Sequence, residues 1–512
     1  MGIHYFCFTL LMVLLSQLSA AGLPVASTLS DTHLNQLIEQ ADAITISESL
    51  RTGQITSLAL TQAYLSRIGK LNPIYKAVIS INPKALDQAR DIDSRRLTGQ
   101  RMHAIAGIPV LIKDNIDTRE LPTTAGSLAL AENYTARDAA IVTNLRNNGA
   151  IILGKTNLSE WANFRSERSS SGWSAVGGQT RNPYDLSRSP CGSSSGSAVA
   201  VAVRLAPLAV GTETNGSVVC PANVNGLVGF KPSIGVLSQT GIVPIAHSQD
   251  TAGPITNSVA SANLLFNAMR TTDASHPLKP GKLQNKRIGI IRSATGYLPE
   301  LDKLFQQSLD RLEQNGAILI DGLALKPSYP DFRADSYLIL LWEFKQDLKQ
   351  YFSGLDNPLS TLDLNGLIAF NKSQPEKELA LFPQDIFERA AALTTEHKTK
   401  YQAALTRAQN ETRNSIRTLT KSHKLDAIVA PTGAPAWSID YVNGDDFLGG
   451  FSTYPAVSGY PHITLPMGLI SGLPVGLSIS AIHGQDQALI NLAAAIEKTL
   501  DFKVAPDLPA VD

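Results

Sequence analysis

Residues 191–218 read Cys-Gly-Ser-Ser-Ser-Gly-Ser-Ala-Val-Ala-Val-Ala-Val-Arg-Leu-Ala-Pro-Leu-Ala-Val-Gly-Thr-Glu-Thr-Asn-Gly-Ser-Val. A Gly/Ser-rich run passes into small and β-branched residues, then into a short apolar run after Pro207, then into a second polar turn. The pattern predicts a helix over 195–204 and a buried strand over 208–211. Ser193 and Ser217 flank that unit 24 residues apart. A helix followed by a strand can leave one loop and bring a second back to the same place.

Outward from this unit the alternation recurs. Helix then strand is expected at 139–147 and 150–153, and a buried strand at 108–112 ends on Lys113. Upstream, 43–71 reads as helical pieces, 78–82 as a short strand and 83–96 as a helix. Residues 275–423 are more polar, with helices expected at 302–315, 337–352 and 383–422 and strands at 287–291 and 317–320. Apolar strands return at 425–430, 462–466 and 475–479, before an amphipathic helix at 486–500. Such alternation argues for an α/β fold, a sheet covered by helices on both faces with functional residues on loops at strand ends.

The chemistry implied by these loops is acyl transfer without histidine. A serine hydroxyl needs a proton acceptor during attack, and none of the nine histidines lies in the Gly/Ser-rich segments. Lysine serves if it is neutral. Its ordinary pKa of about 10.4 must fall to roughly 7, which at about 1.36 kcal/mol per unit demands about 4 to 5 kcal/mol from the surroundings. Lys113 follows the apolar Pro109-Val110-Leu111-Ile112, so burial can supply that penalty, provided Asp114 and Asp117 point elsewhere.

Two other motifs fit their patterns but lack the required context. Gly192-Ser193-Ser194-Ser195-Gly196 matches the G-x-S-x-G elbow, yet the polar, proline-bearing residues 188–191 are no strand. Residues 149–156, Gly-Ala-Ile-Ile-Leu-Gly-Lys-Thr, match the phosphate-binding expression, but Ala150 to Leu153 read as strand where a phosphate cradle needs loop.

Together, the two serine loops and the segment 107–118, Gly-Ile-Pro-Val-Leu-Ile-Lys-Asp-Asn-Ile-Asp-Thr, resemble the amidase signature family. The resemblance runs from about residue 50 to 273 and resumes from 425 to 500. It implies a mixed β-sheet core covered by helices on both faces. It also implies that Lys113 acts as general base, that Ser193 relays the proton and that Ser217 attacks the amide carbonyl. A cis bond between Gly192 and Ser193 is further implied, as is an oxyanion hole from the backbone N–H groups of Thr214, Asn215, Gly216 and Ser217. Asp250, in the matching segment 247–254, is assigned to bracing the serine loops.

Departures from the family pattern bear on substrate. Many members have an arginine just past the nucleophile, the natural clamp for a carboxylate. Here Val219 and Cys220 stand instead, so the scissile group is expected to have a neutral neighbourhood. Asn215 replaces a glycine and is expected to tolerate a positive φ. The string 212–221 with 181–191 before it resembles the peptide-amidase branch, which implies release of ammonia from C-terminal peptide amides. General aliphatic or aryl amides, or binding without turnover, are the rival readings. The tRNA-dependent amidotransferase component of the same fold is disfavoured by the expected export.

The chain has 512 residues, 43% hydrophobic, and 44 basic residues against 44 acidic. That balance gives no reason to expect nucleic acid as a partner. Residues 5–15 are uncharged and mostly apolar, followed by Ser19-Ala20-Ala21, so 1–21 is expected to be a signal peptide and 22–31 a flexible leader. A single domain over 32–512 then acts outside the cytoplasm, free of the membrane after cleavage. With Cys7 leaving in the signal, Cys191 and Cys220 remain, each within three residues of a site serine; a disulfide is open to them if the serines converge, but two small buried thiols are the expectation, because a strained active-site loop seldom suits a disulfide. No His/Cys/Asp/Glu cluster has metal-ligand spacing, and Glu396-His397 lacks the second histidine of a zinc helix. Neither metal nor organic cofactor is expected.

Overall fold

The computed structural model describes residues 31–270 and 276–509. The expected signal peptide and nearly all of the leader lie outside the described residues; Asp31 already begins a helix, Asp31–Gln40. Thirteen strands follow in chain order: β1 (Val78–Ile81), β2 (Pro109–Lys113), β3 (Ile151–Thr156), β4 (Trp173–Ser174), β5 (Gly178–Gln179), β6 (Leu208–Glu213), β7 (Val228–Lys231), β8 (Thr251–Thr256), β9 (Arg287–Ile291), β10 (Ile318–Leu323), β11 (Ala427–Pro431), β12 (His462–Ile470) and β13 (Leu473–Ser480). Eleven of them form one mixed sheet in the order β1-β3-β2-β6-β8-β7-β12-β13-β11-β9-β10, with β4 and β5 paired apart.

The strands nearest the serine loops are covered on both faces. Every residue of β2, β3, β6 and β8 is buried. Helix Ser195–Ala202 lies flat on this sheet and is itself buried throughout. Only small residues allow that approach: a Cβ at Gly196 would run into backbone atoms of Ala77 and Asn157.

The pairing sets the site. β2 lies between β3 and β6, parallel to both. Their carboxyl ends therefore emerge on one side, where ligands of open α/β sheets are usually held. Lys113 is the last residue of β2, and Ser217 follows four residues after β6 ends. The phosphate-loop pattern at 149–156 is strand β3, so its lysine belongs to the sheet. Among the described residues no helix is long and apolar enough to cross a membrane.

The expected helices and strands occur, with adjusted ends. The segment 337–352 is the middle of a longer helix, Phe332–Ser353, and 383–422 divides into Asp385–Ala391 and Lys398–His423 with a short 3-10 turn between. Trp342 stacks on Tyr401 and Tyr454 on Phe332, so both aromatics pack against other aromatic rings.

Candidate active site

Lys113 is completely buried, and its Nζ meets three neutral oxygens: Ser193 Oγ at 2.8 Å, Thr212 Oγ1 at 2.7 Å and the Thr212 carbonyl at 3.3 Å. Asn115 Nδ2 donates to Thr212 Oγ1 at 3.0 Å and fixes that hydroxyl. Burial pushes the Lys113 ammonium down to about 7, against the pull of the Asp250 and Glu213 carboxylates. A neutral amine has two hydrogens to give and one lone pair. With Thr212 taking hydrogens, the lone pair is available to Ser193.

The two nearby aspartates point elsewhere. Asp114 is paired with Lys155, whose Nζ lies 3.1 Å from Oδ1, and accepts from the Thr124 hydroxyl. Asp117 accepts from Tyr351 Oη at 2.8 Å and lies 3.5 Å from Arg137. Both negative charges are thus turned away from Lys113.

Ser193 is fully buried, whereas Ser217 retains a little exposure. The bond Gly192–Ser193 is cis, as the resemblance implied. The loops are stitched together where Ser194 N donates to the Ser217 carbonyl at 3.2 Å and Ser159 N donates to the Ser193 carbonyl at 3.1 Å. A Cβ at position 192 would collide with Ser159 Oγ, so packing demands glycine there. Ser194, centre of the elbow pattern, donates to the Thr212 carbonyl and accepts from the Thr212 amide. It is a brace. Among the described residues no histidine bonds to Ser193, Ser194 or Ser217.

After β6 the chain turns at Gly216, whose φ is +89°. Asn215 does not take the positive φ expected of it; its Oδ1 instead accepts from Ser452 Oγ at 2.6 Å, tying the turn to the 450s. The amides of Thr214, Asn215, Gly216 and Ser217 donate to no acceptor among the described residues. The next two do: Val218 N and Val219 N give their hydrogens to Glu213 Oε2 at 2.8 and 3.0 Å. Sequence reading missed Glu213, Thr212 and Asn115. The available signal was an acidic residue at a strand end just before a helix start, where a carboxylate satisfies unpaired amides.

Asp250 accepts from Thr214 Oγ1 at 2.5 Å and from the amides of Ile245 and Ala246 at 2.7 and 2.9 Å. Burial pushes its carboxyl up to about 7 against those bonds. One bond thus reaches the Ser217 turn at Thr214, and the other two close the loop 245–250 that Asp250 itself belongs to. Beside it opens a cavity of about 440 Å³ lined by Thr212, Thr214, Asp250, Ile245, Asp347 and Tyr351, among others. The helix Phe332–Ser353 supplies the last two and so forms one side of the cavity.

The fold also gathers His247, Glu343 and Asp347, a trio that sequence spacing did not reveal. It is an ion-pair cluster. His247 Nδ1 is 2.9 Å from Asp347 Oδ2, and that hydrogen bond raises the imidazole to about 9. Glu343 already accepts from Ser248 N and Tyr401 Oη. A protonated ring has no lone pair for a metal.

Cys191 and Cys220 are joined in a disulfide, with Cα atoms 6.0 Å apart, which corrects the expectation of two thiols. The expectation placed both in strained loop. Only Cys191 is so placed, with φ +53°, while Cys220 stands in the regular helix Val219–Val224 and meets it.

The family model for amidases matches residues 59–490. The chain belongs to the amidase family. Native peptide amidase from Stenotrophomonas maltophilia has 42% sequence identity to this amidase and a TM-score of 0.84, covering 91% of this chain and 98% of its own. A probable amidase of Arabidopsis thaliana is 36% identical over 95% of this chain and 94% of its own. An amidase family protein from Bacillus anthracis is 30% identical, with a TM-score of 0.82, and covers 97% of this chain and 97% of its own. The amidase is accordingly an amidohydrolase acting on amides, of the family whose hallmark is a Ser-Ser-Lys set.

Proposed function

We propose that this amidase is exported and hydrolyses the C-terminal amide of peptides to the free acid and ammonia. The observation that carries the chemistry is Lys113 Nζ, 2.8 Å from Ser193 Oγ in a fully buried setting that brings its pKa to about 7. Lys113 accepts the Ser193 proton, Ser193 takes the proton of Ser217, and Ser217 Oγ attacks the amide carbon. The amides of residues 214–217 hold the developing oxyanion; one such donor is typically worth about 10²- to 10³-fold in rate. The C–N bond breaks as the proton returns through Ser193 to the leaving nitrogen, and ammonia departs. Water then cleaves the Ser217 ester by the same relay.

Substrate class rests on two supports that agree. Val219 and Cys220 offer no cationic clamp for a carboxylate. The likeness to a peptide amidase, at 42% identity over nearly its whole length, favours a peptide on the acyl side. Export is supported by the apolar run at 5–15 with small residues after it, and by a disulfide, which persists mainly in oxidising compartments.

Ammonia release across amidated dipeptides and simple aliphatic and aryl amides tests the reading. Turnover of amidated peptides with internal bonds intact is expected. Turnover restricted to small amides would keep the mechanism and overturn the substrate; binding without ammonia release would overturn both. Sequencing the mature N-terminus from a cell expressing the full chain tests export, with a start near residue 22 expected.

A further inference from the structure

We infer that the Cys191–Cys220 disulfide is a positioning element of the catalytic site, holding the Ser193 loop against the helix that follows the Ser217 turn, so that turnover is gated by its redox state. The inference rests on the assignment of Ser193 and Ser217 above. Cys191 lies two residues before Ser193, and Cys220 three residues after Ser217. The bridge therefore ties the backbone that carries one serine to the backbone that carries the other.

What the tie holds is a costly conformation. Cys191 has φ +53°, in the left-handed region that a residue with a Cβ adopts reluctantly. From there the chain enters Gly192 and delivers Ser193 Oγ to Lys113. Residue 191 makes its other bonds within its own loop: its amide donates to Ser189 Oγ at 3.1 Å and its carbonyl accepts from Ser195 Oγ at 2.6 Å. Among the described residues, the bridge is the link by which residue 191 itself reaches the Ser217 side. The half of the bridge at Cys220 is anchored differently. Its amide donates to the Gly216 carbonyl at 2.8 Å, closing the turn that contains Ser217.

The bridge is also reachable. Cys191 is buried in an apolar patch with Val224, Ala436 and Trp437, while Cys220 is only partly buried at its edge. A small dithiol attacks the disulfide, forms a mixed disulfide, and closes to its own cyclic disulfide. Two electrons and two protons pass to the protein, leaving two cysteine thiols.

The experiment compares the oxidised full-length enzyme, the enzyme reduced with dithiothreitol, and two double variants, Cys191→Ala/Cys220→Ala and Cys191→Gly/Cys220→Ala. Thiol titration under denaturing conditions comes first; an untreated protein that titrates as many thiols as the reduced one would overturn the inference. Reduction and the Ala/Ala variant are each expected to lower kcat by about 10- to 100-fold, the scale of a misplaced catalytic group. KM should be nearly unchanged, and reoxidation should restore the reduced enzyme. The Gly/Ala variant should recover much of the loss, because glycine accepts the left-handed backbone without a bridge. A bridge that only stabilises the fold would lower the melting temperature of all three altered forms and leave kcat intact at a permissive temperature; that result overturns the inference. Equal losses in the Gly/Ala and Ala/Ala variants, with circular dichroism unchanged, would overturn it as well. If the oxidised enzyme releases no ammonia from any amide, the proposed function itself fails, and the two failures are thereby told apart.

Discussion

Lys113 and Lys155 lie at the ends of adjacent parallel strands, are equally buried, and face opposite surroundings. Lys155 Nζ lies 3.1 Å from the Asp114 carboxylate and donates to Pro122 O and Thr123 Oγ1. Lys113 Nζ finds only hydroxyls and a carbonyl, and burial drives it to about 7. A third buried lysine, Lys231, is lowered to about 8 by the same desolvation, yet among the described residues its one hydrogen-bond partner is the Pro232 carbonyl. Burial alone therefore does not make a base. What singles out Lys113 is a serine hydroxyl at hydrogen-bond distance and the absence of a paired carboxylate.

The largest test of that contrast is loss of turnover. Ser217→Ala is expected to abolish ammonia release, and Lys113→Ala to lower kcat by about 10²- to 10⁴-fold, the usual worth of a general base. Lys155→Met should leave the surviving folded enzyme far more active than Lys113→Ala. Near-normal rates for Lys113→Ala would dissolve the distinction between the two lysines.

The second test is pH. Since Lys113 must be neutral to accept a proton, kcat/KM of the free enzyme should rise with pH through about 7 and level off above it. The lowered pKa also has a stability signature. In the unfolded chain the amine keeps its proton up to about 10.5, whereas the folded form loses it near 7. Between those values the unfolded state binds more protons, so this residue's contribution to stability increases with pH. Below 7 both states are protonated, and the burial penalty is at full size. An acid limb centred far from 7, in a protein with Lys113 intact, would count against the neutral-amine mechanism.

Much of this contrast was legible in the sequence. An apolar pentapeptide ending in lysine and two Gly/Ser turns separated by one helix and one strand are local signals, and the fold follows them closely. The exclusion of Lys155 as a phosphate ligand was legible too, because Ala150 to Leu153 have no loop character. What the sequence hid was orientation. Whether Asp114 would face Lys113 or Lys155 depends on the parallel register of β2 with β3, which no local pattern encodes. The Cys191–Cys220 bridge depended likewise on a left-handed residue in one loop meeting a helix from another. The His247, Glu343 and Asp347 cluster joins residues about a hundred positions apart, beyond any spacing rule.

Stability measurements should show the two lysines with opposite signs. Lys113→Met removes a desolvated amine and is expected to raise stability near neutral pH. The gain is at most about 5 kcal/mol, since each pH step by which burial lowers the amine's pKa is worth about 1.36 kcal/mol. Lys155→Met strips Asp114 of its buried partner and is expected to cost about 3 to 5 kcal/mol. Denaturant midpoints of the two variants against the parent check this. Two changes of the same sign would mean that Lys113 carries a paired charge after all.

The smallest effect is expected from Lys231→Met, and it is the sharpest control. Lys231 shares a lowered pKa with Lys113 and feels the charge of Glu213, which in turn holds the amides of Val218 and Val219 just past Ser217. If titration of any buried lysine near that loop shaped activity, replacing Lys231 would move the acid limb of kcat/KM. Its Nζ, however, bonds no hydroxyl, and the bonds to Glu213 do not pass through it. The acid limb should therefore stay near 7 and kcat should change little, while removal of the lysine's burial penalty raises the unfolding midpoint. A limb displaced in Lys231→Met would transfer the titrating role from the amine that touches Ser193 to one that does not, and proximity to the serine would cease to be what makes the base.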